Sequence, residues 1–558
     1  MSIYYSPTWT NIPDNLSISQ LMQHGIGKID SDKIIYEEAI TGRTVTYMLF
    51  HRQIRQTAYN MRHELLLQAG DTVLISASSC IDYILTAHAV WWAGGVVSAI
   101  NNSSHPDEIS HALNLVKPKF LVVDNTVHEK LSVTLKKPEY ARSLTGLKVF
   151  NIGSGNSAGW PQLLLSTSSS SDGLEIHNPI RDHDFNPKKC CAAILLSSGT
   201  TGASKAVMLS HYNLIATCFQ LRCDNPANWR GSQREIFFPP LSHVYATYVC
   251  FTMNLWLGAY VCLMPRFDLK LYCRLLSERS ATLARIVPAV AKMLAESPIV
   301  GEYKYPNLEY FSCSAAPLHE ETAAKLRKAF PGVALCQTYG CTELSGPCVQ
   351  SGVRDRGLPL SASGTVITNC EIRFVDSTGN DVGARGPGEI LCRAPNAMMG
   401  YKDNLEETEN TISQDGWLHT GDLGYLDENG YLYIYDRLKE MIKYKGFQVA
   451  PSELENIIIQ HPHVKEAAVI GVWSSSEDTE IPRAFVSLEE ADPQNLEIVA
   501  KEITDFVSEK VASYKRLRGG VVVLEELPRN ATGKLLKKKL KELTVQSLHP
   551  REAIVAKL

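Results

Sequence analysis

Nine residues in the first half of the chain combine hydroxyl groups, glycines and one lysine in a pattern suited to holding a polyphosphate. Segment 197–205 reads SSGTTGASK and follows the apolar run CAAILL, which is typical of a buried strand. Glycine lets the backbone approach an anion closely, and successive N–H groups can bind it. Lys205 lies three residues after Gly202, whereas a Walker loop has its lysine directly after the glycine. The pattern favours a mobile phosphate loop over an ordinary surface turn.

Four further segments carry residues that could take part in the same chemistry. They are QTYGCTELSG (337–346), the stretch from Gly416 to Glu455, LPRNATGKLLKKKL (527–540) and PLSHVYATYV (240–249). Each key residue has a structural alternative: Glu343 could cap a helix, Asp422 could serve a turn, Lys534 could be a solvated base, and His243 could be a structural histidine. Their order and spacing together are much more specific than any one of them.

The composition limits the class of protein in which these residues must work. The chain has 558 residues, 44% of them hydrophobic, and a formal net charge of −4. The near balance of acids and bases argues against a nucleic-acid partner and against a polybasic membrane patch. The fourteen cysteines lie between Cys80 and Cys392 without a CxxC pair, so we expect free thiols in a reducing compartment and neither disulfides nor zinc.

The elements that must position the candidate residues follow an α/β pattern. Strand-like runs recur at DTVLISAS, FLVVD, CAAILL, YVCLMP and ARIVPA, with amphipathic helical segments between several of them. This alternation predicts a large N-terminal body of layered, largely parallel sheets with helices. After about residue 380 short strands and turns prevail, and the last part predicts a small mobile C-terminal α+β lid domain. The predicted boundaries are 1–436 for the body, 437–440 for a hinge, 441–545 for the lid and 546–558 for a tail.

Neither a secretory leader nor membrane insertion is expected. The first residues lack a basic region followed by an apolar core. The apolar stretch ILTAHAVWWAGGVVSAI contains His88 and the Gly94–Gly95 pair, so a buried helix that ends and gives way to a strand explains it better than a membrane span.

The motifs together resemble those of the adenylate-forming enzymes, in particular the 4-coumarate–CoA ligase and acyl-CoA synthetase branch. SSGTTG, YGCTE, HTGDLG, DRLKEMIKYKGFQVAPSELE and ATGK carry the resemblance, which extends from about residue 30 to 545. It implies that the chain joins a carboxylic acid to the α-phosphate of ATP, releases pyrophosphate, and passes the acyl group to coenzyme A. The small-molecule acid is then the substrate, and Mg²⁺ is the implied metal.

By motif match, the resemblance also assigns the nucleotide site. The phosphates would be held by Ser197, Ser198, Gly199, Thr200, Thr201, Gly202 and Lys205. Glu343 would bind Mg²⁺, which offsets the charge of the leaving pyrophosphate. The AMP moiety would be lined by Gln337, Thr338 and Thr342. Asp422 would accept hydrogen bonds from the ribose hydroxyls, with help from Arg437.

The lid residues acquire two roles through the resemblance. Lys534 would bridge the carboxylate and the phosphate in the first step, since a cation there stabilises the transition state. The lid would then rotate about Lys439 and bring Lys443, Lys445, Gly446 and Gln448 round for transfer to the thiol. The coenzyme A contacts would come from Lys445, Gly446 and Arg266, with His243 at the mouth of the thiol tunnel.

The acyl pocket is predicted to be mostly apolar, with no basic residue at its far end. Its expected lining comprises Val244, Tyr245, Val249, Cys313, Thr338, Gly340, Cys341 and Pro347. This predicts an aryl or medium-chain monocarboxylic acid as substrate. Ser204 stands where the family usually has proline and Ala206 where it usually has glycine, which predicts a looser phosphate loop. Thr338 replaces a smaller residue, so specificity for hydroxycinnamates does not carry over.

Three other functions share some of these motifs. An amino-acid-activating adenylation enzyme would need an acid at the start of the pocket helix, where SHVYATYV has none. A luciferase-like oxygenase uses the same activation step. A non-catalytic nucleotide-binding protein would lack one of Lys534, Glu343 and Asp422, which are all present.

The chain's last residues, Ala556-Lys557-Leu558, form a variant of the S-K-L peroxisomal signal. They predict recognition by the peroxisomal import receptor, and a cytoplasmic location is the alternative. The tail follows the last family motif closely, so it is expected to extend free of the lid.

Overall fold

The structure is a computed structural model, and it describes residues 2–104, 106–134, 147–152, 185–197, 204–314, 318, 320–352, 358–359, 362–376, 378–383, 388–437, 442–449, 451–488, 495–528, 537, 540–541 and 543. The elements below lie within these ranges.

The strands in chain order are β1 (Tyr4–Tyr5), β2 (Ile34–Glu38), β3 (Thr44–Thr46), β4 (Thr72–Ser76), β5 (Val96–Ala99), β6 (Phe120–Val123), β7 (Lys148–Asn151), β8 (Cys191–Ser197), β9 (Lys205–Ser210), β10 (Arg234–Phe237), β11 (Tyr260–Leu263), β12 (Leu283–Ile286), β13 (Tyr310–Cys313), β14 (Ala334–Cys341), β15 (Gly346–Gln350), β16 (Thr365–Val366), β17 (Glu371–Val375), β18 (Gly388–Arg393), β19 (Gly400–Tyr401), β20 (Leu418–Leu426), β21 (Leu432–Arg437), β22 (Ile442–Tyr444), β23 (Phe447–Val449), β24 (Val464–Ser474), β25 (Thr479–Leu488) and β26 (Val521–Val523).

The α-helices span Ile18–His24, Tyr47–His63, Ile81–Trp92, Pro106–Val116, Asn125–Thr134, His211–Asp224, Val244–Ala246, Asn254–Leu257, Leu269–Glu278, Pro288–Glu296, Glu320–Ala329, Leu405–Thr411, Pro451–Ile458 and Leu496–Ser508. Short 3₁₀ turns cover Pro298–Glu302, Thr342–Leu344 and Ser513–Lys515, and a π-helical segment covers Thr247–Met253.

Two large sheets form the layers of the body. Within the described residues, one has seven strands in the order β19-β9-β8-β5-β4-β6-β7, and the other has nine in the order β16-β15-β14-β13-β12-β10-β11-β2-β3. Their central strands run parallel, and antiparallel strands close some of their edges. Strands such as β4 and β11 are buried along their whole length, which suits sheets with both faces covered. The predicted α/β class and large body are confirmed, and all five runs predicted as strands contain one.

A third sheet differs from the predicted parallel pattern. It has the order β1-β17-β18-β20-β21 and every neighbouring pair is antiparallel. Residues in β17 alternate between more exposed and buried along most of the strand, and the short segment 427–431 connects β20 to β21. After residue 380 the sequence is rich in Gly, Asp and Asn, which favour turns. Because antiparallel strands need only short connections, such a sequence favours antiparallel pairing.

The apolar stretch around His88 forms a buried helix and then a strand, as expected. The helix Ile81–Trp92 is buried at every position, and most of its residues are apolar, as expected for a helix in the core. Gly94 ends it with φ 83°, and β5 follows. Among the described residues, no helix is both long enough and apolar enough to cross a bilayer.

The C-terminal part forms a separate α+β unit with its own core. The hairpin β22–β23 and the sheet β24-β25-β26 pack with the helices Pro451–Ile458 and Leu496–Ser508. We refer to residues 442–543 as the lid. The last strand of the body's antiparallel sheet ends at Arg437 and the first strand of the lid begins at Ile442, on either side of the predicted hinge.

The fourteen cysteines are all described, and each is a free thiol. Nine of them are buried. Cys348, Cys370 and Cys392 lie together in the body, and the pKa values of Cys348 and Cys392 are well above normal, with hydrogen bonding within the group and burial among the causes. These thiols act as small apolar side chains in the core.

Candidate active site

A cavity of about 740 Å³ lies where the two large sheets of the body meet the lid. Its body wall is built from the carboxyl ends of strands: Ala99 ends β5, Ser197 ends β8, Ile286 ends β12 and Cys341 ends β14. In open α/β sheets, ligands bind at this edge because strand ends and the following loops converge there. The cavity therefore lies where the fold predicts a ligand site.

The phosphate-loop sequence connects two adjacent strands at this edge. Ser197 and Lys205 are paired across the antiparallel ladder of β8 and β9, and both line the cavity. Lys205 begins a strand, whereas the lysine of a Walker loop leads into a helix. Residues 198–203 lie outside the described residues, so the predicted roles of Ser198, Gly199, Thr200, Thr201 and Gly202 stay predictions.

The lysine of this loop is held by an acidic partner outside the cavity lining. The Lys205 ammonium forms an ion pair with Glu407, on the helix Leu405–Thr411, and lies 4.9 Å from the centre of the Tyr401 ring. The Lys205 side chain is only 10% exposed. A buried ammonium needs such a partner, since an unpaired charge there is costly.

The predicted metal ligand lies on the same side of the cavity. The Tyr401 hydroxyl donates to Glu343 Oε1 at 3.1 Å, and Glu343 and Tyr401 both line the cavity. Burial, together with Glu343, raises the pKa of Tyr401, so the phenol keeps its proton and acts as the donor. Glu343 Oε2 is not used in this hydrogen bond. The residues Lys205, Tyr401, Glu343 and Glu407 are called the phosphate-side cluster below.

The residues predicted to bind the nucleoside come together on the antiparallel sheet and β14. Asp422 is 4% exposed, lines the cavity, and accepts a hydrogen bond from the Tyr339 hydroxyl at 2.9 Å. Burial and the Asp422 charge raise the pKa of Tyr339 well above normal, which keeps this hydroxyl a donor. In the backbone ladder between β20 and β21, Asp422 lies opposite Arg437. Thr338 and Thr342 also line the cavity.

Gln337 does not line the cavity. Its side-chain amide donates to the Ala362 carbonyl at 3.0 Å, and its backbone N–H donates to the Ser351 hydroxyl at 2.7 Å. Thr338, the next residue of β14, does line the cavity. The prediction that Gln337 lines the AMP moiety is therefore not supported by its position.

His243 lies on the cavity wall with a fixed tautomer. Its Nδ1 accepts the backbone N–H of Tyr245 at 3.2 Å, so it caps the turn Val244–Ala246 and carries its proton on Nε2. His243 is an exposed residue that lines the cavity, and desolvation by the surrounding protein lowers its pKa to about 4. His243 is thus a neutral hydrogen-bond donor toward the cavity near pH 7.

The acyl wall contains most of the predicted residues. Those that line the cavity are Val244, Tyr245, Thr338, Gly340, Cys341 and Pro347. Gly340 leaves no room for a side chain, because a Cβ would overlap the backbone of Gly346 and Pro347. Cys341 is a poor nucleophile here, since burial and nearby Glu343 raise the pKa of its thiol well above normal.

Two predicted pocket residues, Val249 and Cys313, do not reach the cavity. Val249 is fully buried in the body core, and the π-helical segment Thr247–Met253 turns the neighbouring Tyr248 toward the cavity instead. Cys313 is 1% exposed and packs in the core behind β13, whereas Ser314, the next residue, lines the cavity. The predicted roles of both residues in the pocket are therefore not supported by their positions.

A basic residue, Arg285, lies behind the wall that is predicted to hold the acyl group, although it does not line the cavity. Arg285 is 3% exposed, and its Nε donates to Glu235 Oε2 at 2.7 Å. Its Nη1 lies 3.5 Å from the Tyr245 hydroxyl. Since Glu235 is buried beside it, the guanidinium charge is neutralised locally and the wall facing the cavity stays mostly apolar.

The lid contributes one predicted pair to the cavity. Lys445 and Gly446 line it together with Phe447, and Lys445 forms an ion pair with Glu477 at 2.8 Å. Gly446 has φ 84°, and a Cβ there would meet Val287 Cγ1 of the body at 3.0 Å. Glycine is therefore required where the lid turn packs on the body.

Of the other residues predicted for the thiol step, Lys443 and Arg266 do not line the cavity, and the side chain of Gln448 lies outside the described side chains. Lys443 and Gln448 pair in the hairpin β22–β23, and the Lys443 N–H donates to Glu480 Oε2 at 2.8 Å. Arg266 is exposed on the body. Lys439 and Lys534 lie outside the described residues. The nearby Lys537 pairs with Glu455 within the lid at 2.7 Å.

A three-residue ion cluster joins the lid to the body at the edge of the cavity. Lys515 of the lid pairs with Glu453 of the lid at 2.7 Å and with Glu108 of the body, and the three side chains are 10–17% exposed. Burial opposes the charge of Lys515, but Tyr514 and the two carboxylates raise its pKa overall. We call these residues the lid–body cluster.

Several site residues escaped the sequence analysis. Tyr339 lies within the quoted motif YGCTE, and its hydroxyl could have been noted as a partner for an acid. Tyr401, Glu407 and the lid–body cluster carry no local signal, because each acts through a residue far away in the chain.

Comparison with known proteins identifies the family of the chain. Residues 28–402 match the family described as AMP-binding enzyme, and residues 453–534 match the AMP-binding enzyme C-terminal domain. The chain belongs to this family of adenylate-forming enzymes. A probable 4-coumarate–CoA ligase 1 of Dictyostelium discoideum is 32% identical over 559 residues, or 98% of each chain. The 4-coumarate–CoA ligase 1 of Arabidopsis thaliana is 32% identical and covers 95% of this chain and 93% of its own.

The fold agrees with that of solved adenylate-forming enzymes. The amide bond synthetase McbA from Marinactinospora thermotolerans has a TM-score of 0.80 and 23% identity, over 95% of this chain and 99% of its own. Family membership makes the chain an ATP-dependent, AMP-forming ligase that activates an acid, and an identity of 32% to the relatives leaves the acid unspecified.

Proposed function

We propose that the chain activates an aryl or medium-chain monocarboxylic acid as its acyl-adenylate and transfers the acyl group to coenzyme A. The observation that carries this proposal is that one cavity is lined by Lys205, Glu343 and Asp422 of the body and by Lys445 and Gly446 of the lid. The body residues suit a nucleotide, and the lid residues suit a second substrate.

In the first reaction a carboxylate oxygen attacks the α-phosphorus of ATP, and the bond to the β-phosphate breaks as pyrophosphate leaves. Lys205 would bind the departing phosphates, and Asp422 would accept hydrogen bonds from the ribose. Lys534 would bridge the two negatively charged reactants in the transition state.

Magnesium fits the donor set of the phosphate side. Mg²⁺ is usually held by one or two carboxylates together with substrate phosphates, and Glu343 supplies one carboxylate with an oxygen outside the Tyr401 hydrogen bond. When bound there, the ion would offset the charge of the pyrophosphate leaving group.

In the second reaction the sulfur of coenzyme A attacks the acyl carbonyl carbon. The bond to the AMP oxygen breaks, AMP leaves with the electron pair, and the thiol proton passes to solvent. The packing of Gly446 on Val287 and the lid–body cluster support a lid arrangement that serves this second step. His243 would donate from Nε2 into the cavity at this stage.

The lining supports an uncharged acyl tail. Tyr245, Tyr248 and Pro347 contribute aromatic and aliphatic surface, and the charge of Arg285 is paired behind them. Apolar burial of about 25 cal/mol per Å² would then supply most of the acyl-binding free energy.

The test is ATP–pyrophosphate exchange across a panel of carboxylic acids, followed by thioester formation with and without coenzyme A. We expect exchange with aryl or medium-chain acids and a thioester only when coenzyme A is present. Exchange without any thioester would point to an amino-acid activator or an oxygenase. No exchange with any acid would contradict the proposal.

The peroxisomal address stays a prediction that rests on Ala556-Lys557-Leu558 alone. A fluorescent protein fused to the N-terminus should give a punctate peroxisomal signal that becomes diffuse when these three residues are removed. A diffuse signal from both chains would contradict it.

A further inference from the structure

Lys205 has an anionic partner within the protein itself. Its ammonium is paired with Glu407, and the Glu407 side chain is 22% exposed. Lys205 lines the cavity, whereas Glu407 does not, so the carboxylate contacts the lysine from outside the cavity lining. A phosphate that binds the Lys205 ammonium must therefore compete with the Glu407 carboxylate.

The acids near Glu407 do not share this contact. Asp403 pairs with Lys117 at 3.0 Å and with Lys402 at 3.3 Å. Glu406 is exposed on the first turn of the same helix, and Glu407 is the residue whose carboxylate reaches the ammonium. Glu407 is therefore the acid of this segment that faces Lys205.

Tyr401 links the ion pair to the predicted metal ligand. The Lys205 ammonium lies over its ring, while its hydroxyl donates to Glu343. A polyphosphate with its cation would thus contact Lys205 and Glu343 on either side of Tyr401, and it would meet the Glu407 carboxylate as a like charge behind the lysine.

We propose that Glu407 is the resting partner of Lys205, an internal anion that pairs with the ammonium again when pyrophosphate leaves and thereby weakens pyrophosphate binding. The inference rests on the proposed function for the identity of the anion. Its physical basis is an exchange of one charge-assisted contact for another. When pyrophosphate holds Lys205, Glu407 loses its partner and must be rehydrated. Glu407 is accordingly a positioning residue that acts through Lys205.

The test measures binding of magnesium pyrophosphate to the purified full-length chain by calorimetry. We expect Glu407→Gln and Glu407→Ala to bind it about three- to tenfold more tightly than the unmodified chain. Glu407→Asp keeps the charge and should stay close to the unmodified chain. Glu406→Gln removes the same charge from the adjacent exposed position and should leave the affinity unchanged. Lys205→Ala should weaken binding in every background.

A kinetic measurement separates this role from a purely structural one. Inhibition of adenylation by pyrophosphate should strengthen in Glu407→Gln by the same factor as binding, with a lower KM for ATP. A structural ion pair would lower the melting temperature and leave pyrophosphate affinity unchanged, and that result would overturn the inference. Weaker pyrophosphate binding in Glu407→Gln, or no binding by the unmodified chain, would also overturn it.

Failure of the proposed function is distinguishable from failure of this inference. If Glu407→Gln tightens pyrophosphate binding but the chain activates no acid, the inference is retained and the proposed function is lost. If the chain activates an acid but Glu407→Gln leaves pyrophosphate affinity unchanged, the proposed function is retained and the inference is lost.

Discussion

Thr338 is the residue on which the size of the acyl pocket is expected to depend. It lies on β14, half buried, and lines the cavity beside Gly340 and Cys341. Thr338→Gly removes a branched side chain from the wall, so we expect kcat/KM to shift by about tenfold in favour of bulkier acids. The measurement is a competition between a small and a bulky acid for thioester formation.

The matched control is Thr338→Ser, which keeps the hydroxyl and removes one methyl group. It should shift the preference in the same direction but less. Glycine within a strand also costs roughly 0.5–1 kcal/mol of stability, so the melting temperature is recorded alongside. An unchanged acid preference would exclude Thr338 from the acyl pocket.

At the residue scale, the sequence was most informative where several motifs converged on one ligand. Lys205, Glu343 and Asp422 were predicted from separate segments and line one cavity. Gln337 and Val249 were predicted from two of the motif segments and Cys313 from outside them, and none of the three lines the cavity. The spacing identifies the strand or turn that carries a residue, but the side of the element that faces the ligand depends on packing across the sheet.

At the scale of elements, the turn Ser513–Lys515 and the helix Pro106–Val116 meet in the lid–body cluster. Removing the cation leaves two carboxylates facing each other with little solvent. We therefore expect Lys515→Gln to disfavour this lid position and to slow acyl transfer to coenzyme A by on the order of tenfold. Acyl-adenylate formation should change much less. Single-turnover measurements of the two half-reactions check this.

Two variants test whether the effect comes from the contact between lid and body. Lys501→Gln breaks the exposed pair with Asp505 within the lid, at 2.6 Å, and should leave both half-reactions unchanged. Adding Glu108→Gln to Lys515→Gln removes one of the opposed carboxylates and should restore part of the transfer rate. Equal loss in both half-reactions would contradict this role.

The elements of the parallel sheets were predictable because each is an uninterrupted apolar run. CAAILL and FLVVD match β8 and β6 in position and type. The five-stranded antiparallel sheet was not predicted, since its strands are joined by hydrogen bonds between segments as distant as Tyr4–Tyr5 and Glu371–Val375. No local sequence pattern predicts hydrogen bonding between strands so far apart in the chain.

For the whole molecule, three buried histidines predict acid sensitivity. Burial lowers the pKa of His51 and His211 to about 4 and that of His88 to about 3. Between these values and the ordinary 6.5, the unfolded chain binds protons at these side chains and the folded chain does not. The free energy of unfolding should therefore rise with pH through this window, by up to about 1.4 kcal/mol per pH unit for each histidine.

Urea unfolding at several pH values between about 4.5 and 7 measures this slope. His211→Asn should reduce it, whatever its effect on stability at neutral pH. His24→Asn serves as control, because His24 is exposed at the end of the helix Ile18–His24. A slope that is the same in His211→Asn and the unmodified chain would contradict the assignment.

The proposed two positions of the lid make Lys534 the residue that separates the half-reactions. Lys534→Ala should slow adenylation by on the order of 10²–10³, as for loss of one positioned donor to a transition state. Transfer from pre-formed acyl-adenylate should be largely retained. Lys537 lies on the same segment as Lys534 and pairs with Glu455. Lys537→Ala should leave the rates of both half-reactions unchanged. Equal loss of both half-reactions in Lys534→Ala would exclude the two-position scheme.

The lid can be regarded as a ligand that is covalently tethered to the body. Lys515 meets Glu108, and the Lys292 ammonium donates to the Ser475 carbonyl at 3.0 Å, so polar groups carry much of the docking. Because only residues 438–441 separate the last strand of the body from the first strand of the lid, each surface meets the other at a millimolar effective concentration. Contacts too weak to join two separate polypeptides are then sufficient to hold the lid, and the proposed movement of the lid requires contacts of this weak kind.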